Sequence, residues 1–358
     1  MGEFVPHFAE VPDPRASNAR HDFAEVIFIA LAAVLCGAED CTDMALFARA
    51  KLGLLRQVLT LAHGPPSHDT FSRVFRLISP EPFEAAFGKF AAAFAKPLKG
   101  VVAIDGKALR GAYERGRKTS PLHLVNIWAA EARLAIGQHL APGRNEALGA
   151  QQALALLDLT GCIVTADALH CRADTAEIIL AAGADYALAV KANQPTLLAK
   201  AKALTDRVDP GEQAIEERQR AHDRNDGRTA VVVRADDTSF PGLAAVARVE
   251  TYRMTDGEPQ TVIVRYFLLS ALITATRMLE VARAHWTIEN QLHWVLDVAF
   301  LEDAVRSRKD NAPQNLAIIR KIALNLLRSH PEKGSIKGKI KRAGWDDDFL
   351  KSLLAQMR

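Results

Sequence analysis

Between Gly100 and Leu204 the chain alternates short apolar runs with amphipathic segments, and this alternation limits the folds open to it. Strand-like runs occupy residues 101–104, 122–129, 133–140, 161–166 and 186–190. Helical patterns lie at 146–157, 173–182 and 194–204. The order strand, strand, strand, helix, strand, helix, strand, helix predicts a mixed sheet covered by helices. Ligands are expected beyond the carboxyl ends of its parallel strands.

Segments of different character flank this section. Helical patterns fill the chain up to about Leu98, and they include an N-cap signal at Ser67. Polar residues and three strand-like runs, at 229–235, 246–252 and 261–269, indicate a β-rich insertion. Helices are predicted again at 274–285, 287–300 and 313–327. The predicted division is therefore 1–98, 99–205, 206–262, 263–330 and a basic tail at 331–358.

Composition excludes some classes of protein. Of 358 residues 49% are hydrophobic, which excludes wholesale disorder, and 45 basic against 42 acidic residues give a net charge of only +3. That charge neither indicates nor excludes a nucleic-acid partner. The four cysteines have no metal-ligand spacing and are expected to be buried thiols. The apolar run Val26 to Ala38 is too short for a membrane span, so we expect a cytoplasmic protein without a membrane partner.

Two aspartates share one setting, because Asp105 and Asp167 each follow an apolar strand-like run. Aspartates in such positions often cap helices or form turns, and that reading stays open for each of them. At the tips of adjacent parallel strands, however, the two carboxylates would repel each other unless a cation lay between them. The pattern therefore also predicts a shared metal site.

Glu289 is the third acidic candidate. It lies in His285-Trp286-Thr287-Ile288-Glu289-Asn290, on a helix whose apolar positions predict a partly buried face. Taken alone, Glu289 is better read as a surface glutamate. Only its combination with Asp105 and Asp167 suggests a common site.

Several blocks of the sequence resemble those of DDE transposases of bacterial insertion sequences, specifically the ISAs-type or H-repeat family associated with Rhs elements. These blocks are Gly64-Pro65-Pro66-Ser67-His68-Asp69-Thr70-Phe71, Ala103-Ile104-Asp105-Gly106-Lys107, Thr165-Ala166-Asp167-Ala168-Leu169-His170-Cys171, Val190-Lys191-Ala192-Asn193-Gln194-Pro195, and the block around Glu289 with Glu302-Asp303 and Asn311-Ala312-Pro313. The resemblance covers nearly the whole chain.

The resemblance implies an α/β, ribonuclease-H-like mixed-sheet core with a β-rich insertion, preceded by an α-helical N-terminal domain that binds DNA ends. It implies that Asp105, Asp167 and Glu289 are the catalytic, metal-binding residues. Two Mg²⁺ ions are the expected cofactors, and Mn²⁺ can substitute for them. The implied activity is DNA cleavage and strand transfer by in-line displacement at phosphorus. The implied partners are terminal inverted repeats and target DNA, bound by a homodimer or higher oligomer at the nucleoid.

One departure concerns the residues around the glutamate. The broader superfamily carries a tyrosine, an arginine and a lysine at fixed offsets, where this chain has Ala282, His285 and Leu296. His285 is a candidate to replace the arginine as a phosphate contact. The hairpin chemistry of some superfamily members is therefore not assumed.

Further residues are candidate DNA contacts, each with a plainer alternative. Lys107 and Arg110 either hold phosphates or form a solvated turn, and His170 and His293 either contact DNA or pack as polar core residues. The basic run either grips phosphates or is a solvated face. The candidates are Lys107, Arg110, His170, Lys191, Asn193, His285, His293, Lys337, Lys339, Lys341 and Arg342.

Two other functions fit part of the sequence. One is a DNA-binding protein derived from a transposase, decayed in catalysis or domesticated. All three acidic positions are present, which argues against decay. The other is a Mg²⁺-dependent phosphohydrolase on a doubly wound sheet, which leaves the block around Glu289 unexplained.

Overall fold

A single mixed sheet organises the computed structural model, which describes residues 8–94, 98–113, 121–208, 214–220, 224–235, 239–255 and 258–357. Its strands are β1 (Gly100–Tyr113), β2 (Pro121–Ala129), β3 (Leu134–Leu140), β4 (Cys162–Ala166), β5 (Asp185–Val190), β6 (Ala214–Arg220), β7 (Arg224–Arg234), β8 (Ala245–Thr255) and β9 (Glu258–Leu269). They lie in the order β3-β2-β1-β4-β5-β9-β8-β7-β6. β1, β4 and β5 are parallel, and the other neighbours are antiparallel. The α/β, ribonuclease-H-like fold class is thereby confirmed.

Helices precede the sheet, cover it and follow it. They are α1 (Phe23–Leu35), α2 (Cys41–Ala50), α3 (Leu52–Leu55), α4 (His68–Leu77), α5 (Pro80–Phe94), α6 (Glu146–Leu154), α7 (Ala173–Ala181), α8 (Pro195–Thr205), α9 (Ala275–His285), α10 (Trp294–Ala299), α11 (Ala312–Ser329), α12 (Ile336–Trp345) and α13 (Asp347–Ala355). A π-helix (Ile288–His293) lies between α9 and α10. Within the described ranges, no helix combines the length and the apolar character that crossing a membrane requires.

The buried helices α1 and α11 pack against each other, and α11 also contacts the sheet. Residues 26–35 of α1 are almost fully buried, and the Asp22 side chain caps that helix by accepting from the Glu25 amide at 2.9 Å. α11 packs against α1, α4, α5 and β3. Buried apolar residues form a continuous cluster from α1 through the sheet to α13. The predicted N-terminal segment therefore shares its core with the sheet.

Two asparagine side chains on α11 form hydrogen bonds with the backbone of neighbouring segments. Asn325 accepts a hydrogen bond from the Ala135 amide at 3.0 Å and donates one to the Ala135 carbonyl at 2.8 Å. Asn315 donates to the carbonyls of Phe75 at 2.8 Å and Ile78 at 3.1 Å. Since β3 is an edge strand, Asn325 satisfies backbone groups that the sheet leaves without a strand partner.

The structure differs from the sequence-based prediction in four places. β1 extends past Asp105 to Tyr113, because β2 pairs with this polar half of the strand. β6 was missed because its sequence, AIEERQR, is polar. β9 crosses the boundary predicted at 262/263, so the strands of the β-rich insertion continue the core sheet. The basic tail forms α12 and α13.

We expect Asn325→Ala to lower the free energy of unfolding by about 2 kcal/mol, because it leaves the Ala135 amide and carbonyl buried without partners. Urea denaturation of the purified protein measures this difference. The control is Glu177→Ala, which removes an exposed side chain from α7 and should change stability by less than about 0.5 kcal/mol. Equal stabilities of the two variants would contradict the role of Asn325.

Candidate active site at the end of the parallel strands

The register of β1 and β4 places Asp105 and Asp167 side by side. Ile104 opposes Ala166 in the last parallel pair, and each aspartate is the next residue of its strand segment. Asp105 Oδ1 accepts from the Gly106 amide at 2.9 Å. Asp167 caps the short turn that follows β4, accepting from the Leu169 amide at 2.9 Å. Contrary to the sequence-based prediction, Asp105 is inside its strand, at the point where only the parallel pairing ends.

Glu289 reaches the same region on the π-helix. The Trp294 amide donates to the Glu289 carbonyl, five residues back, as in a π-helical turn. The segment was predicted as an uninterrupted helix. π-Helical turns in proteins occur frequently at functional sites.

Side chains from β2 and α11 hold this π-helix in place. Trp128 Nε1 donates to Thr287 Oγ1 at 2.8 Å, just before the π-helix begins. Arg328 donates to the Gln291 carbonyl and lies over the Trp128 ring, with its guanidinium carbon 4.6 Å from the ring centroid. Glu289 is thus presented on an exposed turn whose flanks are tied to the core.

The three carboxylates interact electrostatically. Burial raises the pKa of Asp105 to about 7, and the negative charges of Glu289 and Asp167 contribute to the increase. As placed, the described ranges contain no group of three or more His, Cys, Asp or Glu side chains close enough to hold a metal ion. The chemistry of the donors nevertheless fits a hard divalent cation, since all three are carboxylates and a cation would relieve their repulsion.

Two histidines beside the carboxylates are neutral near pH 7. Burial lowers the pKa of His285 to about 4 and, aided by Lys107 and Lys321, that of His293 to about 3. His285 Nδ1 lies 3.0 Å from Thr165 Oγ1. The replacement of the superfamily's arginine by His285 stays a prediction, in which a neutral ring would contact a phosphate without a positive charge.

His293 contacts Asp105 rather than solvent. Its Nδ1 lies 3.6 Å from Asp105 Oδ2, and its Nε2 lies 3.2 Å from the amide nitrogen of Asn126. An Asn126 amide that donates to Nε2 leaves the ring proton on Nδ1, facing the carboxylate. His170 is buried as well, at 1% exposure. Both residues are packed polar groups within the protein, and their predicted DNA contacts stay predictions.

Lys107 is engaged in a buried ionic cluster. Its Nζ lies 2.6 Å from Asp297 Oδ1, 3.1 Å from Asp303 Oδ1 and 3.4 Å from Glu302 Oε2. Burial alone would lower the pKa of Lys107, but these carboxylates outweigh it and the pKa is raised. Lys107 thus ties β1 to α10 and to the segment that follows it, and its predicted phosphate contact stays a prediction.

Three other predicted contacts lie on β1 and in the loop that follows β5. Arg110 is 82% exposed, with its Nε 3.6 Å from Asp303 Oδ2. Lys191 is exposed directly after β5. Asn193 donates to the Ala168 carbonyl at 2.7 Å, which links the loop after β5 to the turn that Asp167 caps. Arg110 and Lys191 remain exposed candidates, whereas the amide of Asn193 is used within the protein.

Some basic side chains of the tail bond to other groups of the protein, and others are exposed. Lys339 is buried, and its Nζ donates to the carbonyls of Leu327 at 2.7 Å and His330 at 3.1 Å. Arg342 forms ion pairs with Glu332 and Asp346. These two predicted contacts serve the fold. Lys337 and Lys341 are exposed one helical turn apart on α12.

Arg265, on β9, was not among the residues predicted from the sequence. Its guanidinium carbon lies 4.7 Å from the centroid of the Trp286 ring, and burial lowers its pKa while the charge of Glu289 opposes that change. A positive charge thus stands beside Glu289. An arginine inside the β-branched run 261–267 was the available signal.

Comparisons with known proteins identify relatives of the whole chain. Residues 96–326 match the family model described as the transposase DDE domain, and residues 5–91 match the model described as DDE_Tnp_1-associated. The chain is 31% identical over 371 residues to the "H repeat-associated putative transposase YhhI" of Escherichia coli (strain K12), covering 99% of this chain and 98% of that protein. It is 38% identical over 268 residues to an uncharacterised protein encoded in the dhlA 3′ region of Xanthobacter autotrophicus, covering 71% and 90%.

A solved structure is also similar. The cryo-EM structure of the piggyBac transposase synaptic complex with hairpin DNA matches with a TM-score of 0.48 and 14% identity. The match covers 98% of this chain and 80% of that one.

The raised pKa of Asp105 predicts a pH-dependent stability difference. A carboxyl that titrates near 3.8 when unfolded and near 7 when folded destabilises the native state as pH rises through that window. Asp105→Asn removes this penalty. We expect its stability relative to the wild type to rise by on the order of 2 kcal/mol between about pH 4 and about pH 8.

Denaturant unfolding in the presence of a chelator measures this difference. The control is Asp348→Asn, since Asp348 is 92% exposed in α13. A stability difference between Asp105→Asn and wild type that does not change with pH would refute the electrostatic account of Asp105.

Proposed function

The chain belongs to the transposase DDE domain family, and we propose that it cuts and joins insertion-sequence DNA by metal-dependent, in-line phosphoryl transfer. The observation that carries the proposal is the set of charges around Asp105. Asp167 follows the adjacent parallel strand, and the charge of Glu289 acts on the same carboxyl. Carboxylates at the ends of parallel strands are where a ligand is expected in such a sheet.

Asp105, Asp167 and Glu289 are the proposed metal-holding residues. Their oxygen donors suit Mg²⁺, with Mn²⁺ as a substitute. A bound pair of such ions supplies activation of the attacking oxygen and stabilisation of the leaving oxygen.

The reaction we propose exchanges one bond for another. The oxygen of water, or of a 3′-hydroxyl, attacks phosphorus while the bond from phosphorus to the leaving 3′ oxygen breaks. The attacking oxygen loses its proton to solvent and the leaving oxygen takes one up, so protons and bonds balance. No covalent enzyme intermediate is required.

The chain's own residues orient the carboxylates for this reaction. His293 and Asn126 restrict the Asp105 side chain, and the Gly106 amide holds one of its oxygens. The contacts of Trp128 and Arg328 fix the turn that presents Glu289. Because these supports are buried or half-buried, they preserve the geometry without competing for the ligand.

Basic and aromatic side chains are the proposed DNA contacts. Lys191 is exposed directly after β5, Arg265 is half-buried against Trp286, and Arg110 lies on β1 beyond Asp105. On α12, Lys337, Lys341 and Trp345 follow at four-residue intervals and share one face, and Trp345 is 80% exposed. The neighbouring Asp346 and Asp347 are paired with Arg342 and Lys51, which offsets their charge.

The remaining parts of the proposal follow from the family. Residues 1–98 are proposed to bind the terminal inverted repeats, and a homodimer or higher oligomer is proposed to act on the two ends. Strand transfer needs both element ends near one target, which a symmetric oligomer provides.

We expect Asp105→Asn, Asp167→Asn and Glu289→Gln each to slow cleavage by at least about 100-fold, since losing a ligand should exceed the 10–100-fold effects of its outer partners. The substrate is duplex DNA that carries the sequences flanking this reading frame, with Mg²⁺ or Mn²⁺, and DNA binding should persist. Asp158→Asn is the matched control, since exposed Asp158 precedes the opposite end of β4. Wild-type protein that binds the ends but never cuts them would favour the decayed or domesticated DNA-binding alternative.

We expect the triple change Lys337→Ala, Lys341→Ala, Trp345→Ala to weaken binding to specific and random DNA about equally. The two lost charges should reduce the slope of log affinity against log salt by about 2. Fluorescence anisotropy at several salt concentrations measures both effects. Lys351→Ala, which removes an exposed lysine paired with Asp348, is the control. An unchanged salt slope in the triple variant would show that α12 is a solvated surface.

A further inference from the structure

A fourth carboxylate, that of Glu146, lies against the strand that carries Asp105. Glu146 is the first residue of α6, directly after the turn that follows β3. A Cβ atom built on Gly106 would stand 2.3 Å from Glu146 Oε2 and 2.4 Å from its Cδ. The carboxylate therefore occupies the space that a side chain at position 106 would need, one residue from Asp105.

The other oxygen of Glu146 is held by a histidine. His123 Nδ1 lies 3.0 Å from Glu146 Oε1, and His123 Nε2 lies 3.1 Å from Arg144 Nη2. Both contacts fit one neutral tautomer, in which Nδ1–H donates to the carboxylate and Nε2 accepts from the guanidinium. These contacts orient the carboxylate, while Oε2 is the oxygen nearest to Gly106.

The opposite end of β1 offers an internal comparison. Glu131 packs over Gly100 in the same way, at 2.3 to 2.5 Å from a Cβ built there. Its Oε2, however, accepts from the Val101 amide at 2.7 Å. Packing a carboxylate over a glycine is thus explained at Gly100 by a backbone hydrogen bond.

Among the described residues Glu146 accepts no such backbone hydrogen bond, and its hydrogen-bond partner is the His123 side chain. The Gly106 amide donates to Asp105 Oδ1 at 2.9 Å, so Gly106 lies against both the Asp105 and the Glu146 carboxylates. A fourth carboxylate in this position costs electrostatic free energy unless a cation is held among the four.

We propose that Glu146 is a fourth carboxylate ligand of the metal site, beside Asp105, Asp167 and Glu289. This inference rests on the function proposed above. It assigns Glu146 a role in holding the divalent ion. Gly106 makes that role sterically possible, because it has no side chain to occupy the space of the carboxylate. His123 and Arg144 act as positioning residues for it.

The test measures Mn²⁺ binding to the full chain without DNA. Isothermal titration calorimetry gives the affinity and stoichiometry, and the loss of the free-ion signal in electron paramagnetic resonance gives a second measure of binding. Glu146→Gln should lose one bound ion or weaken Mn²⁺ affinity by about 10- to 100-fold. Glu131→Gln, the matched control, should bind Mn²⁺ like the wild type. Wild-type Mn²⁺ affinity and stoichiometry in Glu146→Gln would overturn the inference.

Gly106→Ala provides a second variant that keeps the charge but displaces it. The added methyl cannot coexist with the carboxylate at 2.3 Å, so Mn²⁺ affinity should fall as in Glu146→Gln. Combining the two changes should give less than the sum of their effects. If Glu146→Gln does not fold, wild-type Mn²⁺ binding by Gly106→Ala overturns the inference instead.

Asp105→Asn separates this inference from the proposed function. If Asp105→Asn loses Mn²⁺ and Glu146→Gln keeps it, the three-carboxylate site stands and Glu146 is not a ligand. If the wild type binds no Mn²⁺, or if Asp105→Asn binds it like the wild type, the proposed metal-dependent function fails as well.

Discussion

The parallel pairing of β1 with β4 fixes the positions of Asp105 and Asp167, and the other parts of the site are arranged around it. Because Ile104 and Ala166 are the last register partners of the parallel pairing, the residues that follow them, Asp105 and Asp167, lie at the same level of the sheet. β2 pairs with the other edge of β1 and supplies Asn126 and Trp128. Their contacts bring the Glu289 segment over the same end of the sheet. Backbone hydrogen bonding thus determines the geometry before any ligand contributes.

A buried cluster of charged side chains stabilises this arrangement. Glu302 lies among Lys107, Lys321 and Arg320, whose charges keep its pKa low although burial would raise it. Arg320 donates to the Glu39 carbonyl at 3.1 Å, and Lys321 donates to Gln138 Oε1 at 2.6 Å. Removing one member of such a cluster leaves the others buried without compensation, which is far costlier than losing an exposed pair. The cluster therefore joins the N-terminal helices, β3 and β1 into one unit.

The sequence predicted the parts of the fold that local patterns determine. Apolar runs identified β4 and β5. The assignment of Asp105, Asp167 and Glu289 to one site came from the strand-like runs before the two aspartates and from family blocks, and it stays a prediction. The burial of Lys107 and Lys339 was not predicted, because it depends on partners that the pattern of charges does not reveal, such as Asp297, 190 residues away from Lys107. Arg265 and Glu146 were missed for the same reason. Their significance arises from neighbours brought near by the fold, Trp286 and Gly106.

The π-helix between α9 and α10 has a consequence for how this chain tolerates changes in length. A π-helical turn contains one more residue than the α-helical turn it replaces, so the wider turn absorbs that residue. Deleting a single residue within 288–293 would allow an ordinary α-helix in which the anchors at Thr287 and at Gln291 and His293 stay close to their present phase. Such a deletion would therefore leave the flanking contacts with β2 and α11 in place and would change the turn that presents Glu289.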